Sequence, residues 1–466
     1  MALVVCILGP SVFDEQLEPL FYDIRLKIKN HLKGPEPPED IFIVAIDEKS
    51  LKEFGRWPWS RTLQAKLIER ILSAGPKVLA IDILYPEPES PEADRAFKKA
   101  LSKGAVVLAL GFEVTGKKAN SSGPNQETDL LWDHALVKIK NYSLLKAPEA
   151  ERPLIPETVM PNGVSLGHVY SLPDRDGKTR WEYLYLQFHG DVYPSLAVQT
   201  VRVAEGLSLE DVVVQAGQSL RVGTHTVPTD PFGRMLINYL GKEGTFRYIS
   251  AADILKAVVE PSILKDKIVL LGTSAIATYD IKVTPLSANM PGVEKNATVV
   301  ENILRDRYIK KAPLLVDLLT VLIIGFLMMT LLPRFKALKS VAVGLAIILS
   351  YLFLNLFLFA YQGLWLNLSV VSIQMGLIFV YNLSYKYFLE ERQARHLKRL
   401  FSSYVSEKIV KELIENPEMA GLGGRRRDVT VLFSDIVGFT SLSERLEPEH
   451  VVTILNEFFS EMVDVI

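Results

Sequence analysis

Residues 41–84 read IFIVAIDEKSLKEFGRWPWSRTLQAKLIERILSAGPKVLAIDIL. The stretch opens on Ile41–Asp47, six apolar residues closed by an aspartate, which predicts a buried strand. The turn Trp57-Pro58-Trp59 follows, with Ser60 as the helix N-cap. Residues 61–74 then repeat apolar side chains at helical spacing, and Gly75 closes the helix. Lys77–Leu84, apolar apart from Lys77 and Asp82, predicts a second strand. Strand, helix and strand in this order predict a sheet with parallel pairs, covered by helices. Working outward, Ala105–Val114 and Lys267–Gly272 predict further strands and Val293–Arg305 a helix. Residues 115–130 are polar and predict a mobile insertion. The fold class for this region is α/β with a mixed sheet.

Downstream the composition changes. Hydrophobic residues make up 48% of the chain, a share that points to embedded segments. Residues 313–333, 340–361 and 364–385 are apolar, each about 20 residues long, enough to cross a bilayer core as a helix. Arg334, Lys336 and Lys339 follow the first span; Lys386, Arg392, Arg395, Lys398 and Arg399 follow the third. Basic loops stay in the cytoplasm. This predicts an inner (plasma) membrane protein with the C-terminal part inside and residues 14–310 outside, although Lys310 and Lys311 then lie on the outer side. Trp365 and the tyrosines at 351, 361, 381 and 385 fit interfacial anchoring. Met1–Phe13, apolar but too short to span, is expected to be the remnant of a first membrane helix.

The bulk numbers exclude several classes. Lys+Arg 52 against Asp+Glu 54 leaves a net charge of -2, so no nucleic-acid partner is expected. A single cysteine, Cys6, excludes an intrachain disulfide and a cysteine-rich zinc site. The 7 histidines are scattered, so a metal site has to use carboxylates. Asp47, Asp82 and Asp280 fall at strand ends or in loops. Beyond the carboxyl ends of parallel strands such residues line ligand pockets; they also serve as caps of helices and turns, the commoner use. Trp57 and Trp59 are expected to pack under their loop.

The strings IFIVAIDEKSLKEFGRWPWSR, KVLAIDILY, RYISAADIL, KIVLLGTSA and DIKVTPLSANMPGVE, in this order, resemble the second type of CHASE domain. The resemblance covers most of residues 14–312. It implies an external or periplasmic sensor, of unknown ligand, followed by three membrane helices. That family carries a histidine shortly after the Pro-Gly-Val motif, where this chain has Lys295-Asn296.

Residues 386–424 leave the last span as a charged helical stalk. Leu397, Leu400 and Tyr404 give a short heptad-like seam suited to a parallel dimer. Ser406 predicts a second N-cap and Pro417 a stop. Residues 425–466 then contain DVTVLFSDIVGFTSLSERL. Val429–Phe433 predicts a strand, Gly438 a tight turn, Ser441 with Glu444 a capping box. Pro448 starts a helix whose apolar face runs Val451, Ile454, Leu455, Phe458, Phe459 and Met462. A carboxylate at a strand end can hold a dication, and a glycine turn into a helix offers N–H groups to phosphate.

VTVLFSDIVGFTSLSE resembles the opening of the class III adenylyl and guanylyl cyclase domain, of ferredoxin-like α/β fold. The resemblance implies Asp435 and the Ile436 carbonyl as metal ligands. Backbone amides at Gly438, Phe439 and Thr440 would hold the nucleotide phosphates. It also implies two Mg²⁺ or Mn²⁺ ions per site, sites built across a homodimer, and conversion of ATP to cyclic AMP and pyrophosphate. The family's second metal aspartate and its base-selecting and transition-state residues fall beyond Ile466. The chain by itself is therefore expected to be a C-terminally truncated, inactive fragment of a receptor cyclase, its catalytic residues unknown. A guanylate cyclase using GTP, or a non-catalytic membrane sensor that pairs with an intact partner, is the alternative.

Overall fold

The computed structural model describes residues 17–34, 36–114, 130–278, 280–402 and 430–465. The expected helix remnant at 1–13, nearly all of the insertion at 115–130 and the stalk from 403 to 424 lie outside them. The chain divides into two units, Met1–Arg334 with Ala342–Ile378, and Phe335–Val341 with Phe379–Ile466.

The first unit is built on a seven-stranded sheet. Its strands are β1 (Ile41–Ile46), β2 (Val78–Ile81), β3 (Val106–Glu113), β4 (Arg152–Leu154), β5 (Ser165–His168), β6 (Arg247–Ser250) and β7 (Ile268–Thr273). The order is β6-β1-β7-β2-β3, with β4 and β5 both paired to β3. All pairs are parallel except β3 with β4, so the sheet is mixed. Side chains alternate across a strand. Ile41, Ile43 and Ala45 enter one core, and Phe42, Val44 and Ile46 enter the other. Both faces are covered, which is why these strands read as continuous apolar runs.

Helices supply the two covers. The second core packs α3 (Arg61–Ser73), α4 (Pro91–Leu101) and α6 (Ala251–Leu255). The first takes α1 (Glu18–Lys33), α5 (Leu196–Ala204) and α7 (Gly292–Leu304). Short α2 (Glu48–Phe54) follows β1 directly, because the Asp47 side chain accepts from Ser50 N and so caps it. Ser60 caps α3 by accepting from Leu63 N, as the sequence predicts. Gly75 beyond α3 has φ +73°, a conformation that other residues rarely adopt. A four-stranded sheet formed by 138–140, 212–215, 219–222 and 225–228 was not foreseen from the sequence.

Two helices are long and apolar enough to cross a membrane: α8 (Leu314–Leu331), extended by a helical turn to Arg334, and α9 (Ala337–Gln362). The third expected span, 364–385, differs from its prediction. Leu364–Trp365 is extended and pairs in parallel with Lys310–Lys311. Only from Ser369 does the chain turn helical, as α10 (Ser369–Ser402), which runs on into the charged stalk. Its polar residues lower its hydropathy and are used for contacts: Gln374 Nε2 donates to Val321 O at 3.0 Å, and Ser340 Oγ bonds Asn382 Oδ1 at 3.1 Å.

A buried tie in the first unit fixes α1. The Glu18 carboxylate, 1% exposed, pairs with Arg25 at 2.6 Å. It also accepts from Trp365 Nε1 at 2.6 Å, Leu368 N at 2.9 Å and Ser369 N at 2.8 Å. The last two are orphan donors at the start of α10, so Glu18 acts as that helix's N-terminal anion. Arg25 completes the node by donating to Asn355 Oδ1 at 2.7 Å and Leu366 O at 2.9 Å.

Candidate functional site

Two places are candidates for functional chemistry. The first is a cavity of about 930 Å³ in the α/β domain. It opens beyond the carboxyl ends of β2 and β7, the place where ligands sit in open α/β sheets. Asp82, the residue after β2, and Thr273, the last of β7, form its floor. Trp57–Arg61 and Gln64, from the approach to α3, make one wall, and the segment from Ile83 to Glu89 another. Asp280, Lys282 and Gly292 close it from the β7–α7 connection.

The three strand-end aspartates separate in this fold. Asp47 is a cap: its Oδ1 also accepts from Ser50 Oγ at 2.6 Å and Ser250 Oγ at 2.8 Å. Asp82 faces the cavity and caps nothing. Among the described residues the Asn296 amide alone donates to its carboxylate, to Oδ2 at 2.8 Å. Burial, and next the Asp280 carboxylate, push the Asp82 pKa up to about 6. Asp280 lies against the start of α7, so close that a Cβ on Gly292 would stand 2.2 Å from its Oδ2. Its Oδ1 pairs with Lys282 at 3.3 Å.

Much of the rest of the lining is internally satisfied. Arg61 is held by Asp94 and by the Glu87 carbonyl. Glu89 Oε2 accepts from Arg61 N at 2.8 Å, filling the start of α3. Tyr85 donates to Gln64 Oε1 at 2.7 Å, and Gln64 donates to Trp59 O at 2.7 Å. Trp59 is buried and donates to Gly55 O at 2.9 Å, as expected of a packed residue. Trp57, expected to pack in the same way, is only half-buried and lines the cavity, its ring edge-on to Trp59 at 5.9 Å.

Lys295 and Asn296 stand where the CHASE resemblance places a histidine. Asn296 supplies the bond to Asp82. Lys295 points into the core and pairs with Glu182 at 2.7 Å, both side chains 1% exposed. Glu182 Oε1 has no hydrogen-bond partner, and burial raises the Glu182 pKa. Nearby His168 is fully buried with both ring nitrogens unpartnered; burial, then the Lys295 charge, lower its pKa to about 3, so it is neutral.

The second place is the opening of the C-terminal domain, in the second unit. Residues 430–437 form no strand, a departure from the sequence prediction: a strand needs a neighbour for its backbone groups, and none pairs with them among the described residues. Val431, Leu432 and Phe433 are exposed accordingly. Asp435 Oδ1 accepts from Ile436 N at 2.8 Å, and the Ile436 carbonyl accepts from Phe439 N at 3.2 Å. Gly438 adopts φ +75° and caps α11 (Phe439–Ser443). Ser441 therefore lies inside this helix, and Glu444 ends it; the expected capping box is absent. Next comes α12 (Pro448–Val465), starting at the predicted proline. Among the described residues no three His, Cys, Asp or Glu side chains converge as a metal site. Asp435 fits as one ligand of an ion of the Mg²⁺ type, which takes one or two carboxylates and completes its shell with water and phosphate.

The model of the CHASE2 domain matches residues 1–332, the greater part of the chain. The chain belongs to the CHASE2 family. In this CHASE2 protein, residues 424–466 match the adenylate and guanylate cyclase catalytic domain, and so form the start of such a domain. Over 74 residues the chain is 36% identical to Adenylate cyclase 1 of Rhizobium meliloti (strain 1021), covering 16% of this chain and 11% of that protein. Over 73 residues it is 37% identical to an uncharacterized protein of Mycobacterium tuberculosis (strain ATCC 25618 / H37Rv), covering 16% and 13%. The chain thus spans only 11% to 13% of the length of these curated relatives. No solved structure matches it. A CHASE2 match that takes in α8, with the apolar α9 next to it, points to a membrane protein.

Proposed function

We propose that this CHASE2 protein is a receptor-type nucleotidyl cyclase, whose external domain regulates conversion of ATP to cyclic AMP and pyrophosphate inside the cell. The observation that carries the reading is the cyclase match at 424–466, in the same chain as a CHASE2 domain and apolar helices. ATP is preferred to GTP because the named relative is an adenylate cyclase.

Three crossings of the inner membrane, by α8, α9 and the first half of α10, account for the polarity. The pairing of Lys310–Lys311 with Leu364–Trp365 keeps the α9–α10 connection beside the CHASE2 domain, which supports placing both on one side. An 18-residue α8 is about 27 Å long, a bilayer core's thickness. The basic residues Arg334, Lys336 and Lys339 then face the cytoplasm, as the loop-charge rule asks.

In the catalytic domain, Asp435 and the Ile436 carbonyl are the proposed metal ligands, and the N–H groups of Gly438, Phe439 and Thr440 the proposed phosphate donors. The first N–H groups of a helix have no intrahelical acceptor and suit that task, and here Phe439 N has to leave the Ile436 carbonyl to take it up. A bound Mg²⁺ or Mn²⁺ ion supplies charge neutralisation for the triphosphate. Asp435 holds its position by accepting from Ile436 N. A homodimer joined through the stalk is the proposed assembly.

The test is cyclic nucleotide formation by membranes carrying the full-length protein, with ATP and with GTP, alongside Asp435→Ala. Product from ATP, reduced at least about a hundredfold by the substitution, is expected. Unchanged activity in Asp435→Ala overturns the metal role, and product from GTP alone overturns the choice of base.

A further inference from the structure

The cavity beyond β2 and β7 has the volume of a small-molecule site, within the usual range of about 300–1,000 Å³. That is many times the size of a bare ion, and no set of three metal-ligating side chains converges here among the described residues.

What the cavity would bind follows from which of its charges are already answered. Two helices begin at its edge, α3 and α7, and a helix start attracts anions. Both starts are already filled by the protein's own carboxylates: Glu89 accepts from Arg61 N, and Asp280 packs on Gly292. Both cations of the lining are engaged as well. Arg61 is held by Asp94 and the Glu87 carbonyl, and Lys282 by Asp280. Among the described residues an incoming anion would find no free donor of this kind and would meet carboxylates. Asp82 is the group left over, since Asn296 satisfies one of its oxygens and no cation pairs with it among the described residues. Glu87 adds an exposed carboxylate at the edge, and Trp57 presents a half-buried indole, the best aromatic partner for a cation.

We propose that this cavity is the ligand site of the CHASE2 domain and takes a small organic ammonium compound, its charged nitrogen on Asp82 and its carbon groups against Trp57. The proposal rests on reading this domain as the sensing part of the protein.

The experiment is calorimetric titration of the full chain in lipid nanodiscs with choline, ethanolamine and putrescine, and with acetate as the anionic control. Saturable heat from at least one of the three amines is expected, and none from acetate. Asp82→Asn keeps the shape and the Asn296 contact, and weakens binding about tenfold or more. Trp57→Leu weakens it several-fold and supplies the same comparison should Asp82→Asn fail to fold. No saturable heat from any amine, equal affinity in both variants, or binding of acetate instead overturns the proposal. The readout involves no cyclic nucleotide, so a failed titration and a failed cyclase assay are separate results.

Discussion

Lys295→Ala should destabilise the CHASE2 domain far more than a surface lysine would. The Lys295–Glu182 pair is 2.7 Å apart with both side chains 1% exposed. Removing one member leaves the other charge in the core without compensation, which costs about 3–5 kcal/mol. At about 2–4 °C per kcal/mol for a domain of this size, unfolding should move down by on the order of 10 °C. The pair itself is imperfect, because Glu182 Oε1 is unpartnered. Replacing both members, Lys295→Met with Glu182→Leu, should therefore stay within about 1 kcal/mol of the parent or exceed it. The single variant should also depend on pH. Glu182 already has a raised pKa through burial, and Lys295 is the first of the groups opposing that shift. Without Lys295 the folded state holds a proton that the unfolded state releases, so stability falls as pH rises above the ordinary carboxylate range. The deficit of Lys295→Ala should thus be smaller near about pH 5 than near pH 8. Thermal unfolding of the full chain in nanodiscs, followed by circular dichroism at both pH values, measures all three quantities. A single variant costing under about 1 kcal/mol, or a double variant as damaged as the single, refutes the account.

Two further substitutions test neighbouring contacts. Gly292→Ala, at the first position of α7, would normally favour the helix; here the new Cβ meets Asp280 Oδ2 at 2.2 Å and has to turn that carboxylate aside, so a loss of about 1 kcal/mol is expected, and a rise in unfolding temperature would refute the contact. Glu18→Ala leaves Arg25 buried and frees the N–H groups of Leu368 and Ser369, so amide hydrogen exchange should speed up together in α1 and at 364–369; exchange changing in α1 alone would show that the node does not join them.

The central strands were legible because burial on both faces leaves its mark in the sequence, as in IFIVAI and KIVLLG. The order of the strands was not: β7, far along the chain, inserts between β1 and β2, and nothing in either apolar run specifies that neighbour. The two aspartates after Ile46 and Ile81 looked alike. Their difference was written just downstream. Glu48-Lys49-Ser50 after Asp47 can start a helix and use a cap, whereas Ile83-Leu84-Tyr85-Pro86 after Asp82 cannot, which leaves that carboxylate for the cavity. The bond from Asn296 to Asp82 spans 214 positions, beyond the reach of any local pattern. In the third span the same limit worked in reverse: Gln374 and Asn382 dilute the apolar signal because neighbouring helical segments take their hydrogen bonds. The string VTVLFSD was readable as a family signature, yet its strand does not form where no partner strand is described.

The node around Glu18 also carries a schedule. Glu18 and Arg25 lie 7 positions apart and are made within a moment of each other, but Trp365, Leu368 and Ser369 follow 347 to 351 positions later. At roughly 5–20 residues per second, the ribosome takes on the order of half a minute to cover that distance. Throughout that interval the first helix has its charges and not its seat. Closure of the node therefore waits until α8, α9 and the start of α10 have all been made. A chain whose segment 365–369 is held away from α1 leaves Glu18 with Arg25 alone, so the same four hydrogen-bonded groups that hold the helix also register whether the distant apolar segments have come back to it.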